Sequence, residues 1–324
     1  MGSTMEITPS EALRVLAEWP LPRARLAGSL PGSARNVNVL VEDADGSRYV
    51  LRCGRRNPRR DRVIFQLDFQ EHLRRRGIPT AEVVATRTGD RCVAADGALP
   101  WVLFRFVPGN PYRYGSRTQL RSAARCLAGI HVAAADFTAA PALAPDDTIP
   151  QLRRWWTHGE EELAALRALF AGSDTGPELD YLSRWQDDLV RSFPLGLADQ
   201  LPGAWLHADF HGRNLVFADD QVRGVFDFDV VHHGWRLADV GYALYCFSRQ
   251  DHGSSVIRAA TARTFVEPFA LTSLEREALP YFVVATQART APRYRVRQRE
   301  GADIAAVLRS HVARMRALST QLTH

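Results

Sequence analysis

The stretch "LHADFHGRNLVF", residues 206–217, decides how the rest of the chain is interpreted. His207, Asp209 and His211 alternate over five positions, and a glycine, an arginine and an asparagine follow before a short apolar run. Side chains of these types suit a metal-binding strand, a loop that transfers protons, or a polar turn. The residues that follow the stretch separate these three possibilities.

Two short β runs follow, "NLVF" at 214–217 and "VRGVFDF" at 222–228. Only "ADDQ" separates them, which favours a hairpin. A turn centred between Asp220 and Gln221 would place Asn214 opposite Asp227, with their Cβ atoms about 5 Å apart. Two oxygen ligands on one edge predict a Mg²⁺ site, because Mg²⁺ prefers a few protein oxygens together with phosphate oxygens.

The spacing from Asp209 to Asn214, followed by an Asp-Phe pair at 227–228, is that of the kinase motifs D-x-x-x-x-N and D-F-[GD]. On these residues the chain resembles the aminoglycoside phosphotransferase and type II homoserine kinase-like enzymes, small-molecule relatives of the protein kinases. The family's H-G-D-x-x-x-x-N, I-D-F-[DG] and Y-D-L-A motifs resemble residues 207–214, 226–229 and 238–241. Each motif alone is weak evidence, whereas the three together are highly specific.

The resemblance implies an α+β fold of the two-lobed protein-kinase-like kind, with a small β-rich N-terminal lobe and a larger, mostly helical C-terminal lobe. It covers most of the chain, although residues 150–200 and 270–324 match only as helical sequence. We expect a nucleotide-binding lobe at 1–104, a hinge at 105–109, and a catalytic and acceptor-binding lobe at 110–324.

Apolar periodicity along the chain agrees with this division. In the N-terminal part we predict a helix at 10–19, strands at 36–43 and 47–53, a helix at 61–76, and three short strands between 81 and 107. Beyond residue 110, helical sequence is interrupted once by β sequence, at 205–229. The predicted helices there are 116–135, 150–170, 178–193, 236–250, 255–269, 273–290 and 302–320.

The resemblance also assigns a role to each polar residue of the motifs. Asp209 is the expected catalytic residue, which accepts or orients the proton of the acceptor hydroxyl. Asn214 and Asp227 are the expected Mg²⁺ ligands. Three supporting residues are expected: His207, which hydrogen-bonds to the loop, Asp229, which either joins a second metal or caps a turn, and Asp239, which braces the loop from a helix.

The nucleotide would be bound by two segments of the N-terminal part. Gly32, Ser33 and Asn36 belong to a glycine/asparagine loop whose backbone N–H groups can approach phosphates. In "LFRFVPG", which resembles the hinge, Arg105 and Val107 would offer backbone hydrogen bonds to a purine. ATP and GTP both remain open as the nucleotide.

The chain departs from the family pattern at three positions. Its 41 basic residues are all arginine, so Arg52 replaces the strand lysine that contacts phosphate, and its guanidinium can bind phosphate oxygens bidentately. Gln66 stands where a glutamate normally orients this cation, and Asp68 or Glu71 are the candidate substitutes. Ala208 replaces the glycine of the catalytic loop.

Composition limits the remaining classes of function. The net charge of +5 and the pI of 9.3 are too mild to indicate a nucleic-acid partner, and no apolar run approaches the roughly 18–20 residues that span a bilayer. The N-terminus lacks a signal-peptide pattern, so we expect a cytoplasmic protein, a monomer or a homodimer. Four scattered cysteines without a CxxC pair predict reduced thiols.

The leading interpretation is a Mg²⁺-dependent kinase that phosphorylates a hydroxyl of a small molecule, an antibiotic first and a metabolite of the homoserine or choline type next. A metallohydrolase is the runner-up, since His207, Asp209 and His211 could bind zinc on one strand face. A catalytically inactive nucleotide-binding regulator is the third class, favoured by the missing lysine and the displaced glutamate.

The charge of the acceptor can also be predicted. The stretch "ARTAPRYRVRQRE" at 288–300 holds five arginines against one acid, and "GEEEL" at 159–163 is expected to be a solvated helix face. Because a basic site repels polycationic aminoglycosides, we expect a neutral or anionic hydroxyl compound, such as a nucleoside-like antibiotic or a hydroxy amino acid.

Overall fold

A computed structural model describes residues 7–30, 36–54, 59–94, 99–138, 149–252 and 257–322 of the chain. The chain divides into two compact units. Unit 1 comprises Met1–Pro111, Asp136–Ala144 and Leu215–Asp229, and unit 2 comprises Tyr112–Ala135, Pro145–Asn214 and Val230–His324. Unit 1 is built on β-sheet and unit 2 is mostly helical, so the predicted α+β class is confirmed.

Unit 1 contains a five-stranded antiparallel sheet. Its strands lie in the order β1-β2-β3-β5-β4 and are β1 (Arg25–Ser29), β2 (Val37–Glu42), β3 (Arg48–Cys53), β4 (Val83–Val84) and β5 (Trp101–Arg105). Strand β1 was not predicted. Of the three strands expected between residues 81 and 107, the described residues contain two, β4 and β5, which pair with each other. Val93 forms only an isolated bridge with Trp101.

The hairpin of β2 and β3 is confirmed, and it places Arg52, the arginine predicted to bind the nucleotide, in the sheet. The carboxylate of Asp43 accepts the backbone N–H groups of Asp45 and Ser47 at 3.0 and 2.9 Å, which closes the turn between the strands. Asn38 on β2 pairs with Arg52 on β3, and Arg52 pairs in turn with Val102 on β5. Because β3 has a neighbour on each side, the backbone of Arg52 is fixed from both.

Two helices accompany the sheet, α1 (Pro9–Leu16) and α2 (Arg60–Arg75). Helix α2 buries an apolar face that includes Phe65 and Phe69. It ends where predicted, at Gly77, whose φ of +83° suits glycine, and the N–H of Ile78 donates to the carbonyl of Leu73 at 3.1 Å. Beneath the sheet, Trp19, Leu51 and Leu103 belong to one buried core cluster.

A second sheet of unit 1 contains β6 (Asn110–Pro111), β8 (Leu215–Ala218) and β9 (Gln221–Val225), in the order β6-β8-β9. Strands β8 and β9 form the predicted hairpin. Its two-residue turn is Asp219–Asp220, and both residues have positive φ, 48° and 60°, as a type I′ turn requires.

The predicted register of this hairpin is wrong. The pair next to the turn is Ala218–Gln221, so the turn is centred one residue earlier than expected. The pairing then slips by one residue between Phe217 and Val216, and the last pair is Leu215–Val225. Asn214 precedes β8, in a 3-10 helix at Gly212–Asn214, and is not a strand partner of Asp227. The turn type decided the register, which apolar alternation alone did not specify.

Unit 2 contains ten helices among the residues described and one pair of antiparallel strands, β7 (Gly203–Leu206) and β10 (His232–Trp235). The helices are α3 (Arg117–Ala133), α4 (Ile149–Thr157), α5 (Gly159–Leu169), α6 (Gly176–Ser192), α7 (Leu195–Ala198), α8 (Arg236–His252), α9 (Ala259–Val266), α10 (Ser273–Ala285), α11 (Ala291–Arg299) and α12 (Ile304–Leu322). In the described ranges no helix combines the length and the apolar character that crossing a membrane requires.

Most of the helices expected in unit 2 are present, but the structure of this unit differs from the prediction in three ways. The predicted helix at 150–170 is two helices, because His158, with a φ of −143°, interrupts it. Helices α7 and α11 were not predicted. Strand β10 extends the β sequence beyond the expected limit at residue 229.

The acidic run "GEEEL" differs from its prediction as a solvated face. Glu160 and Glu161 are exposed, but Glu162 is buried. Its carboxylate forms an ion pair with Arg154 at 2.5 Å and accepts the N–H of Ala291 at 3.4 Å. Glu162 is therefore part of the interior of unit 2, where it contacts Arg154 and the first residue of α11.

Candidate active site

The loop at 207–214, called the catalytic loop below, follows β7 in unit 2 and is held by a buried carboxylate. Asp239 on α8 accepts the backbone N–H groups of His207 and Ala208 at 2.8 and 2.9 Å. His131 Nε2 lies 3.1 Å from the same carboxylate. This is the bracing contact from a helix that the sequence predicts for Asp239.

Asp239 keeps its charge although it is only 1% exposed. Burial by itself raises the pKa of this carboxyl, but the hydrogen bond and charge of His131, together with His207, hold the pKa below its ordinary value. A carboxylate with several donors satisfies its buried oxygens, so the backbone of the catalytic loop is fixed at its first two residues.

Ala208 has a φ of +61°, in the left-handed region that favours glycine. This is the position where the chain has alanine and the family motif has glycine. The backbone keeps this conformation in spite of the alanine, since the Ala208 N–H is bonded to Asp239 at 2.9 Å. The substitution therefore leaves the loop formed and puts backbone strain into it.

Asp209 follows at the exposed side of the catalytic loop, with a side chain that is 25% exposed. Tyr242 donates its hydroxyl to Asp209 Oδ1 at 2.8 Å, and His211 Nε2 lies 3.5 Å from the same oxygen. Burial lowers the pKa of His211, which favours its neutral form. The hydroxyl of Tyr242 thus orients the carboxylate predicted to be catalytic.

Tyr242 was missed by the sequence interpretation, although a signal for it exists. It lies three residues after Asp239 on α8, and residues at that spacing share a helix face. Helix α8 therefore contacts the catalytic loop twice, once through Asp239 at the backbone and once through Tyr242 at the side chain of Asp209.

Asn214 closes the catalytic loop. Its Nδ2 donates to the backbone carbonyl of Asp209 at 2.9 Å, and its backbone N–H donates to the carbonyl of His211 at 2.9 Å. Because the amide nitrogen is engaged, the amide oxygen is the atom left for a ligand, and oxygen is what Mg²⁺ requires. The donor type of Asn214 fits the metal role predicted for it.

In unit 1, Arg52, Asp227 and Asp229 form a charged group, called the Arg52 cluster below. Arg52 Nη2 lies 2.7 Å from Oδ1 of Asp227 and 2.7 Å from Oδ1 of Asp229. All three side chains are less than a fifth exposed, at 19%, 17% and 9%. Although burial opposes the charge of Arg52, the two carboxylates outweigh it and raise the pKa of the guanidinium.

The Arg52 cluster identifies the acids that pair with Arg52. They are Asp227 and Asp229, whereas the candidate substitutes from α2 are engaged elsewhere: Glu71 pairs with Arg74 and Arg75, and Asp68 pairs with Arg91. Gln66, at the position of the family's glutamate, donates to the backbone carbonyl of Asp229 at 3.1 Å. The helix residue still contacts this group, but through a neutral hydrogen bond.

Asp227 has a φ of +82°, which is rare for a residue with a side chain. Strained backbone of this kind is concentrated at functional sites. Asp229 is fixed by a further contact, since Asn36 Nδ2 donates to its Oδ2 at 2.6 Å. Asn36, predicted to contact the nucleotide, is thus buried beside Asp229, which was predicted either to join a metal or to cap a turn.

Of the remaining residues predicted to bind the nucleotide, the structure describes Arg105 and Val107. Gly32 and Ser33 lie outside the described residues. The N–H of Arg105 donates to the carbonyl of Glu82 at 2.9 Å, so a purine contact by Arg105 would have to use its carbonyl. In the described part of the chain, the N–H of Val107 donates to no backbone carbonyl, which agrees with a donor to the purine.

The zinc alternative gains no support from this geometry. No three or more histidine, cysteine, aspartate or glutamate side chains among the described residues are grouped as a metal site requires. His207 is fully buried, and its Nδ1 accepts the N–H of Asp209 at 3.3 Å. The alternating residues of the opening stretch are therefore parts of a hydrogen-bonded loop.

Comparison with known proteins decides the family. The model of the APH phosphotransferase enzyme family matches residues 28–275. The chain belongs to this family. The protein is thus a small-molecule phosphotransferase with an alcohol acceptor, as the motifs at 207–214 and 226–229 predicted.

Curated relatives and solved structures agree with this assignment. The homoserine kinase of Xanthobacter autotrophicus is 26% identical over 290 residues, covering 86% of this chain and 83% of the relative. That of Rhodopseudomonas palustris is 29% identical over 252 residues, covering 76% and 71%.

Two solved kinases share the fold. A microcompartment-associated aminopropanol kinase has a TM-score of 0.69 at 19% identity, covering 98% of this chain and 97% of its own. An amicoumacin kinase in complex with AMP-PNP, Ca²⁺ and Ami has a TM-score of 0.65 at 16% identity, covering 94% of this chain and 91% of its own. These similarities confirm the two-lobed, protein-kinase-like fold.

Proposed function

We propose that the protein transfers the γ-phosphoryl group of ATP to a hydroxyl of a small metabolite, with Mg²⁺. The observation that carries this proposal is the placement of Asp209, a partly exposed carboxylate oriented by Tyr242 on a loop whose backbone is bonded to Asp239. Such a carboxylate can orient an acceptor hydroxyl and accept its proton late in the transfer.

The other residues of the motifs have matching roles. Mg²⁺, when bound with the nucleotide, neutralises charge on the phosphate oxygens. Asn214 and Asp227, one from each motif, are its proposed ligands. Arg52 can exchange a carboxylate oxygen for a phosphate oxygen, because a guanidinium binds either anion in the same geometry.

A metabolite is preferred to an antibiotic as acceptor because the curated relatives reported above are homoserine kinases. Antibiotic phosphorylation is the second candidate, and the structural likeness to an amicoumacin kinase favours it. A cytoplasmic location and a monomer or homodimer are proposed from the sequence alone.

A screen with ATP labelled at the γ-phosphate tests this function. The acceptors are hydroxy amino acids, amino alcohols, nucleosides, macrolides and aminoglycosides, each assayed with and without Mg²⁺. We expect Mg²⁺-dependent label in a metabolite. Label in antibiotics alone would favour the second candidate, and label in none, with nucleotide bound, would favour the inactive regulator.

A further inference from the structure

One face of α8 carries polar side chains that extend beyond the catalytic loop. Tyr242, Cys246 and Arg249 follow one another at spacings of four and three residues, which places them on the same side of the helix. Tyr242 donates its hydroxyl to the Asp209 carboxylate at 2.8 Å, and the Cys246 thiol lies beside the same hydroxyl. The face therefore leads from the catalytic aspartate to Arg249.

Two more arginines reach this face from other elements. Helix α10 packs against both α8 and α12. Arg289 lies in the connection between α10 and α11, and Arg314 lies on α12. The charges of Arg249 and Arg289 both act on the Cys246 thiol, whose pKa burial raises to about 12. Three guanidinium groups thus converge within unit 2.

Their mutual influence is visible at Arg314. Burial is the main cause that lowers the pKa of this guanidinium, and the positive charges of Arg249 and Arg289 lower it further. Its Nη1 donates to Ser310 at 3.0 Å, but its Nε is buried without a hydrogen-bond partner in the described part of the chain. A buried donor on a cation is costly unless an anion or another acceptor satisfies it.

Arg249, Arg289 and Arg314 form no ion pair with any side chain that the structure describes. Other arginines of unit 2 do: Arg236 binds Glu275 at 2.6 Å, and Arg309, on the same helix as Arg314, binds Asp174 at 2.7 Å. Arg314 thus differs from Arg309 on the same helix, since its buried Nε has no hydrogen-bond partner in the described part of the chain.

We propose that Arg249, Arg289 and Arg314 form a subsite that binds an anionic group of the acceptor, a carboxylate or a phosphate, while the acceptor's hydroxyl lies at Asp209. This inference rests on the proposed function and narrows the acceptor to alcohols that carry a negative group. Arginine suits the task, because its fork of donors matches both anions.

The basis of the charge prediction is corrected at the same time. The proposed subsite does not include the whole basic stretch at 288–300, in which Arg295, Arg297 and Arg299 lie on the exposed side of α11. Of its five arginines, Arg289 is the one that joins the subsite. The other two members lie far away in the sequence and were not identifiable from it.

A binding measurement tests the subsite without requiring phosphoryl transfer. Inorganic sulfate is titrated calorimetrically into the full chain, with ADP and Mg²⁺ present so that nucleotide-phosphate contacts are occupied. We expect saturable binding that weakens about tenfold or more in the double variant R249Q/R289Q, as loss of hydrogen bonds to a charged group implies. R295Q, which removes the same charge from the exposed helix α11, should bind as the wild type does.

Equal sulfate affinity in the double variant and the wild type, or no saturable binding by the wild type, would overturn the proposal. If R249Q/R289Q does not fold, R289Q alone and R289K replace it. R289K keeps the charge and should retain most of the affinity that R289Q loses.

Steady-state kinetics distinguish a carboxylate from a phosphate as the bound anion, and test the subsite separately from the proposed function. The acceptor pairs are L-homoserine with its amide, and glycerol 3-phosphate with glycerol, each sharing a hydroxyl and differing in charge. We expect kcat/KM to favour the anionic member of one pair, and R289Q to reduce that preference about tenfold. Equal losses for both members would contradict the subsite.

Failure of the subsite and failure of the function remain separable. Sulfate binding that depends on the arginines, without transfer to any acceptor, would remove the proposed function and keep the subsite. Transfer to neutral acceptors only, with sulfate affinity unchanged in every variant, would keep the kinase and remove the subsite.

Discussion

The Arg52 cluster of unit 1 and the catalytic loop of unit 2 are held in place by different forces. The cluster is held by charge, because one guanidinium lies 2.7 Å from each of two carboxylates. The loop is held through its backbone, whose N–H groups donate to the carboxylate of Asp239. One arrangement can change partners when an anion arrives, and the other is fixed whether or not a ligand is present.

This difference predicts different kinds of defect. An altered charge in the Arg52 cluster changes which anions the protein binds, so it should appear in nucleotide affinity. An altered residue in the catalytic loop changes geometry at the acceptor hydroxyl, so it should appear in turnover. The four substitutions below test this division, from the largest expected effect to the smallest.

The largest effect is expected from D209N. Asparagine keeps the size and the hydrogen bond from Tyr242 but cannot accept a proton or carry a charge. We expect kcat to fall about 10²–10⁴-fold, the usual contribution of a positioned general base, with ATP affinity unchanged. Labelled-phosphate transfer gives kcat, and calorimetry gives the affinity for ATP.

The matched control for D209N is D199N. Asp199, also in unit 2, has a side chain that is 45% exposed and pairs with Arg153 on the surface. It should transfer phosphate at the wild-type rate. A D209N variant that retains more than about a tenth of wild-type turnover would show that Asp209 is not the residue proposed.

R52Q tests the Arg52 cluster, which is held together by charge. Removing the guanidinium leaves Asp227 and Asp229 close together without a cation and removes a phosphate contact. We expect the affinity for ATP to fall about 10- to 100-fold, as loss of hydrogen bonds to a charged group implies, and the affinity for adenosine to change little. Both are measured by calorimetry with Mg²⁺ present.

Arg75, 74% exposed at the end of α2 and paired with Glu71, supplies the control variant R75Q. It removes an equal charge from unit 1 without touching the Arg52 cluster, so both affinities should stay near the wild-type values. If R52Q weakens adenosine and ATP equally, Arg52 supports the fold of the unit and does not contact phosphate.

The Arg52 cluster also shows how far sequence reasoning could reach. The resemblance to the family's motifs identified Arg52, Asp227 and Asp229, because each stands at a motif position. It could not pair them, since the family's partner for the cation comes from a helix and this chain has Gln66 there. The carboxylates that replaced it lie more than 170 positions away in sequence.

Elements of the fold that are set by nearby residues could likewise be predicted from the sequence, whereas others could not. The hairpin of β2 and β3 and the end of α2 were predictable, because turn residues and Gly77 act within a few positions. The register of β8 and β9 was not, because both aspartates of the turn adopt positive φ, which aspartate tolerates but does not require. The break at His158 likewise depends on packing that helical periodicity does not encode.

Y242F measures the contribution of the orienting contact in unit 2. The ring remains, but the hydroxyl that donates to Asp209 at 2.8 Å is lost. Because a neutral donor to a partly exposed carboxylate contributes modestly, we expect kcat to fall about three- to tenfold and ATP affinity to stay unchanged. Steady-state kinetics with saturating ATP separate kcat from the acceptor KM.

The control for Y242F is Y114F, since Tyr114 is 62% exposed in the same unit. It should behave as the wild type. An unchanged kcat in Y242F would mean that the catalytic loop orients Asp209 without help from α8, and that Asp239 is the only contribution of α8 to the loop.

The smallest effect is expected from A208G, and it should be a gain. Ala208 has a φ of +61°, a conformation in which an L-residue with a Cβ is strained by about 1–2 kcal/mol relative to the right-handed region. Glycine removes this strain but loses more chain entropy on folding, which offsets about 0.5–1 kcal/mol. The net gain in the free energy of unfolding should therefore be about 0.5–1 kcal/mol. Urea unfolding and hydrogen exchange of the N–H groups bonded to Asp239 measure it.

A204G, the same substitution within the regular strand β7, should lose stability instead, because glycine there loses more chain entropy on folding and relieves no strain. If both variants lose stability, the left-handed backbone at Ala208 is not strained, and the loop accepts alanine as readily as glycine.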